Sequence, residues 1–305
     1  MFRKDLITEE MIETGERIDA PRDFLETAPR INMSRRAIMK GLACGTIVPM
    51  VVGCSTNPVT GTSQLILPGF DSASLAAMST AAWSDMKSQT PQTGDSRLRN
   101  RVLNVWDRTA RGRSQALVDV YGQQSTYTPA DWEVAVFDTD DVNAFVMPGQ
   151  QVGVFRGITE LTENDDQLAS VLGHEAGHID GRHSAARAST QMAAQITMVA
   201  GSIAVAQSDE LSKYGNEIVA LGGAAMQFGV LLPFSRSHEL EADKLGVDYM
   251  HKAGYDVTEA PRLWELMDKR SAGQRPPEFM STHPDPGRRR QELINFINAR
   301  GYALI

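Results

Sequence analysis

The chain has 305 residues, 42% hydrophobic and 22% charged, which is ordinary globular material with length for one large domain or two small ones. A formal net charge of -8, with basic clusters only in the N-terminal arm and at Arg288-Arg289-Arg290, argues against a nucleic-acid partner. The 2 cysteines, Cys44 and Cys54, both fall in a stretch that reads as an export signal, so no disulfide framework or cysteine zinc site is available to a folded domain.

Residues 1–32 are charged and weakly patterned, and they lead into Met33-Ser34-Arg35-Arg36-Ala37-Ile38-Met39-Lys40, the layout of a twin-arginine signal. The uncharged run that follows, 41–53, is shorter than the ~20 residues needed to span a bilayer. It closes on Val51-Val52-Gly53-Cys54, an apolar pair, a small residue and Cys, which resembles a bacterial lipobox. Residues 1–53 are therefore read as an N-terminal extension and twin-arginine lipoprotein signal, with Cys54 the lipidated first residue of the mature protein. Residues 54–305 form the folded domain. Ser55 rather than Asp after the Cys favours the periplasmic side of the outer membrane over inner-membrane anchoring.

Asn57-Pro58-Val59-Thr60-Gly61 reads as a turn-rich tether, and Leu65-Ile66-Leu67 as a short strand. Helical stretches follow at about 71–87 and 96–112. Trp132 to Phe137 alternates apolar and polar residues and predicts a strand. Asn143 to Met147 and Gln151 to Phe155 predict strand, turn and strand, with Pro148 marking an edge or bend. Two later runs, 188–208 and 218–235, carry no charge. Gln191, Gln195, Thr197 and Ser202 interrupt the first and Pro233 the second, so both are read as buried helices rather than membrane spans.

Between these lies Gly173-His174-Glu175-Ala176-Gly177-His178, of the form HExxH. On a helix, His174 and His178 stand one turn apart on one face and can meet one metal ion. Glu175 lies about 100° round from His174, which suits a general base beside the metal. Asn164 and Gln167 can cap this helix, and Leu168, Leu172 and Ile179 form its apolar stripe. Gly173 and Gly177, each about 1 kcal/mol worse than Ala in a helix, share the side away from Glu175, where another segment is expected to pack closely.

A catalytic zinc usually takes three protein ligands and keeps a position open. His183, five residues past His178, is the nearest candidate in sequence but lies about 140° round the helix, facing away. The better candidate is Glu239 in Ser235-Arg236-Ser237-His238-Glu239-Leu240-Glu241-Ala242-Asp243, which opens a helix capped near Ser237 and closed before Gly254. Glu239 and Asp243 point into the apolar face set by Leu240, Val247 and Met250, whereas Glu241 and Asp248 point out. A carboxylate on a buried face needs a partner, and a metal is one. Asp243, one turn on, fits a role as hydrogen-bond brace for a ligand histidine. His238 is a weaker rival to Glu239.

HEAGH followed by Ser-Arg-x-x-Glu-x-Glu-Ala-Asp resembles the zinc metallopeptidase family that includes the CAAX prenyl endopeptidases and HtpX-type proteases, all gluzincins. Asn143-Ala144-Phe145-x-x-Pro-Gly is similar to that family's cleft strand, and Ser281-Thr282-His283-Pro284 with Arg289 to its late loop. Cys54-Ser-Thr-Asn-Pro-Val-Thr-Gly with Gln64-Leu65 is similar to the start of its periplasmic lipoprotein branch, the BepA- and LoiP-like proteins. The resemblance implies one Zn2+ per chain on His174, His178 and Glu239, with Glu175 as base and substrate held along Asn143, Ala144 and Phe145. It offers His283 and Arg289 as oxyanion donors, and His283 also as a fourth ligand that blocks the open position.

The expectation is a mostly helical α+β gluzincin metallopeptidase domain, with a small β-sheet edging the cleft and holding an extended peptide by main-chain hydrogen bonds. Its partners would be a polypeptide substrate, misfolded or outer-membrane proteins in the periplasm, the membrane through the lipidated N-terminus, and outer-membrane assembly factors. The rival reading is a periplasmic chaperone or binding lipoprotein with incidental proteolysis.

Overall fold

A computed structural model describes residues 54–193, 235–271, 278–283 and 286–303. The twin-arginine stretch, Val51-Val52-Gly53, Pro284 and most of the two uncharged runs lie outside the described residues. The chain divides into Met1–Pro49 and Met50–Ile305, and everything below belongs to the second unit.

Strands β1 (Cys54–Thr56) and β2 (Ser63–Leu65) form an antiparallel hairpin. Helices α1 (Ser72–Gln89) and α2 (Ser96–Asp119) follow, capped by the side chains of Asp71 and Asp95. Then come β3 (Glu133–Phe137), β4 (Ala144–Met147), β5 (Gln151–Phe155) and the short α3 (Arg156–Leu161). The HEAGH segment sits in α4 (Asp165–Asp180), and a further helical stretch, α5, is described over residues 183–193. The later motif opens α6 (Arg236–Lys252), and α7 (Glu259–Ser271), α8 (Glu278–Thr282) and α9 (Pro286–Arg300) complete the order.

The sheet runs β3-β5-β4, with β3 parallel and β4 antiparallel to β5. Its two faces sort the side chains by period 2. Ala144, Val146, Val152 and Val154 enter the main core with Leu168, Val171, Leu172 and Ala176 of α4. On the other face Phe137 and Phe145 meet Trp83 of α1 edge-on, at centroid distances of 5.8 and 6.2 Å. The sheet thus lies directly against the HExxH helix, with β4 at its margin.

Helix α4 starts as expected. Asn164 Oδ1 accepts from Gln167 N at 2.8 Å, and Gln167 Oε1 accepts in return from Glu163 N at 2.9 Å. The close neighbour expected over Gly173 and Gly177 is α6. A Cβ on Gly177 would stand 2.7 Å from the Ala242 carbonyl oxygen, and one on Gly246 only 2.9 Å from His174 N. The helix propensity lost at these glycines brings two ligand-bearing backbones into contact.

Some boundaries differ from expectation. Helix α2 runs on to Asp119 instead of stopping at Gly112, because that glycine serves a close crossing: its Cβ would lie 2.4 Å from the Tyr249 carbonyl oxygen. The cap of α6 is Ser235, whose hydroxyl accepts from His238 N at 3.3 Å. The stretch read as a tether is an ordered loop. Asn57 is buried, its Oδ1 accepting from Val59 N and Thr60 N while its Nδ2 donates to the Asp180 carbonyl at 2.8 Å. Gln64 Nε2 donates to the Gly181 carbonyl at 2.6 Å. The hairpin therefore satisfies carbonyls at the C-terminal end of α4, groups that a helix end leaves without intrahelical partners.

Candidate metal centre

Four buried donors meet between α4, α6 and the end of α8: His174, His178, Glu239 and His283, with one ligand atom from each within 4.8 Å of all the others. His174 Nε2 and His178 Nε2 are 3.0 Å apart. Each lies 3.4 Å from a different Glu239 oxygen. His283 Nδ1 is 3.2 Å from His174 Nε2 and 3.1 Å from Glu239 Oε2. Three imidazole nitrogens and a carboxylate converging this closely are a donor set that suits zinc, so the residues fit the ion.

Each donor is held from behind. His174 Nδ1 is 2.9 Å from Asp243 Oδ1. Asp243 in turn accepts from Arg289 Nε at 2.8 Å and Nη2 at 2.6 Å. The same guanidinium reaches Glu239 Oε2 at 2.6 Å and the His283 carbonyl at 3.2 Å, and it stacks 3.9 Å over the Trp264 ring. Burial would raise the Glu239 carboxyl, but hydrogen bonds from His174 and His283 hold it far below the ordinary range, so it is a carboxylate.

Glu175 differs from its neighbours. It is buried, and among the described residues its Oε1 has no hydrogen-bond partner, the His283 Nε2 standing 3.4 Å away. Burial pushes its carboxyl up. A buried oxygen without a partner is costly unless something outside the protein uses it.

The remaining expected site residues fall as follows. Arg289 is buried, and its donors are turned to Asp243, Glu239 and the His283 carbonyl. Asn143 Oδ1 accepts from Ala144 N at 2.9 Å, Ala144 is buried, and the Phe145 ring lies 6.0 Å from Phe155 and closes over Gly153. Among the described residues no strand pairs with the outer edge of β4. A pocket lined by Leu75, Pro148, His178, Ile179, Arg182 and Ala185 opens beside its far end.

Helical projection fails at three residues. Helix α4 ends at Asp180, and Arg182 takes a left-handed φ of 53°, which turns His183 back toward the centre: it is fully buried, with its Nδ1 2.9 Å from His178 Nδ1. Glu241 is half-buried and engaged rather than pointing free to solvent, since His183 Nε2 contacts its Oε2 at 2.9 Å and Thr62 Oγ1 donates to its Oε1 at 3.1 Å. Asp248 is buried, accepting from Tyr121, Tyr302 and Arg300 at 2.6 to 2.7 Å. His238 stacks on His183, centroids 4.3 Å apart, outside the four-donor set.

A mostly helical domain whose HExxH helix is joined by a glutamate from a second helix is a gluzincin metallopeptidase domain. The chain belongs to peptidase family M48, whose family model matches residues 109–296, and M48 metallopeptidases are zinc-dependent. It is 37% identical over 168 residues to the mitochondrial metalloendopeptidase OMA1 of Schizosaccharomyces pombe, covering 54% of this chain and 47% of that protein. It is 31% identical over 167 residues to the beta-barrel assembly-enhancing protease of Escherichia coli K12, covering 53% and 34%. The OMA1 metalloendopeptidase of Danio rerio is 34% identical over 172 residues, 54% and 35%. The chain thus spans a third to a half of the length of these relatives.

Proposed function

We propose that this protein is a zinc endopeptidase that cleaves extended polypeptides, with misfolded or outer-membrane proteins in the periplasm as its substrates. The observation that carries the reading is the buried Glu175 oxygen, without a hydrogen-bond partner among the described residues, beside a four-donor metal set. Zinc, when bound, supplies a Lewis acid that polarises a carbonyl and lowers the pKa of water. Glu175 Oε1 is placed to hold the proton of the attacking water and return it to the leaving amine, and its raised affinity for a proton suits both steps. The free edge of β4 can take an extended peptide by main-chain hydrogen bonds, and the adjoining cavity can receive one side chain.

In this reading His174, His178 and Glu239 hold the ion, and Asp243 and Arg289 hold the ligands. Arg289 is a positioning group rather than an oxyanion donor, since its guanidinium is engaged by Glu239 and Asp243. The oxyanion role passes to His283, whose Nε2 faces Glu175. His283→Ala is expected to keep one zinc and lower kcat about 10²–10³-fold, as loss of an oxyanion donor does. A faster variant would instead mark His283 as an obstruction of the site.

The OMA1 relatives are mitochondrial proteins by name, so the periplasmic reading rests on the N-terminal signal alone. The mature protein is expected to begin at lipidated Cys54. Mass spectrometry finding an unmodified N-terminus upstream of Cys54 would overturn that. The function is tested by incubating the zinc-loaded protein with an unfolded outer-membrane β-barrel protein and mapping new internal termini. No cleavage, or full biological rescue by Glu175→Gln, would favour a chaperone or binding lipoprotein.

A further inference from the structure

His183 is buried against the metal centre without belonging to it. Its Nδ1 meets Nδ1 of His178, the nitrogen on the opposite side of the ring from the Nε2 that faces His174 and Glu239. It therefore cannot share an ion with His178 Nε2. Its other nitrogen meets Glu241, and Glu241 accepts from Thr62 in the β1–β2 loop. Thr62 Oγ1 is itself 2.8 Å from Thr60 Oγ1.

Proton placement along this row is determined once His178 holds a metal. A ligand imidazole binds through the Nε2 lone pair, so its Nδ1 carries the hydrogen and donates. His183 Nδ1 must then accept, which places the His183 hydrogen on Nε2, where the Glu241 carboxylate accepts it. Every contact in the row finds a donor facing an acceptor. The position of the ring is also constrained: it stacks on His238, and a Cβ on Gly181 would lie 2.3 Å from it.

We propose that His183 is a positioning residue for the metal ligand His178, locked by Glu241 and Thr62, so that the N-terminal hairpin takes part in building the metal site. The proposal rests on His178 holding the ion. It gives His178 what Asp243 gives His174, an acceptor that fixes the tautomer and orientation of the ring.

The test measures zinc affinity of the full chain by competition with a chromophoric chelator, beside the melting temperature of the metal-free protein. His183→Phe keeps an aromatic ring to stack on His238 but offers no acceptor. Zinc binding is expected to weaken about 10–100-fold, with the metal-free melting temperature unchanged. His183→Asn, which places an oxygen where Nδ1 stands, should recover most of the affinity. Wild-type affinity in His183→Phe would reduce His183 to packing and overturn the proposal. Should that variant not fold, the half-exposed end of the row decides. Glu241→Leu should bind zinc several-fold more weakly than Glu241→Gln, whose carbonyl still accepts, and equal affinities would overturn it. Wild-type protein that takes up no zinc would remove the metallopeptidase reading and this proposal together, whereas a normal wild type with an unaffected His183→Phe removes this proposal alone.

Discussion

Glu239→Ala is expected to lose zinc and peptidase activity together, with affinity falling by more than the roughly 100-fold upper range for groups that only brace a ligand. Glu239 is the one anionic donor of the four, so its removal leaves the ion to the imidazoles of His174 and His178. It also leaves Arg289 Nη1, now 2.6 Å from the lost carboxylate, as a buried cation directed at the metal position. Breaking a buried ion pair from one side typically costs about 3–5 kcal/mol, and the surviving pair of Arg289 with Asp243 should hold the loss toward the lower end of that range. Metal analysis after dialysis against a weak chelator, with a melting curve, reads both effects. A variant that retains one equivalent of zinc and cleaves normally would show that another group is the third ligand.

Glu175→Gln should separate what Glu239→Ala joins. The amide matches the carboxylate in size and can stay beside His283, and Glu175 is not one of the four donors, so zinc content is expected to stay at one per chain. What is lost is the proton acceptor. A kcat/KM lower by about 10²–10⁴-fold is the range for removal of a positioned general base. Side-by-side assays on an unfolded β-barrel protein, each preparation checked for zinc, make the comparison. Undiminished cleavage by the variant would take Glu175 out of the reaction.

What could be read from the chain alone was whatever depends on near neighbours. Two histidines one turn apart, a cap formed by Asn164 and Gln167, and two glycines on one helix side are local patterns, and each has the structure its spacing implies. Glu239 was legible because the apolar stripe of its own helix says which way it faces. His183 was not, because a left-handed residue at Arg182 ends the helix on which its direction had been projected. Glu241 and Asp248 failed for a different reason. Their partners, Thr62 and His183 for one and Tyr121, Arg300 and Tyr302 for the other, come from parts of the chain 50 to 180 residues away, and no helical wheel contains them. Arg289 was named from the sequence as an oxyanion donor, and the signal for its bracing role was its own chemistry: a guanidinium forks to two carboxylates, and Glu239 and Asp243 sit one turn apart.

Cys54 is already the first residue of a paired strand, opposite Leu65, and the hairpin it opens is bonded to carbonyls at the end of the HExxH helix. A protein acylated at that position has no leash. A flexible linker of n residues lets its cargo roam about 5–6 Å × √n, and here n is zero. Acylated there, the cleft would be kept within a narrow range of heights above the bilayer, so that its clientele is selected by where a chain emerges as well as by what its side chains are.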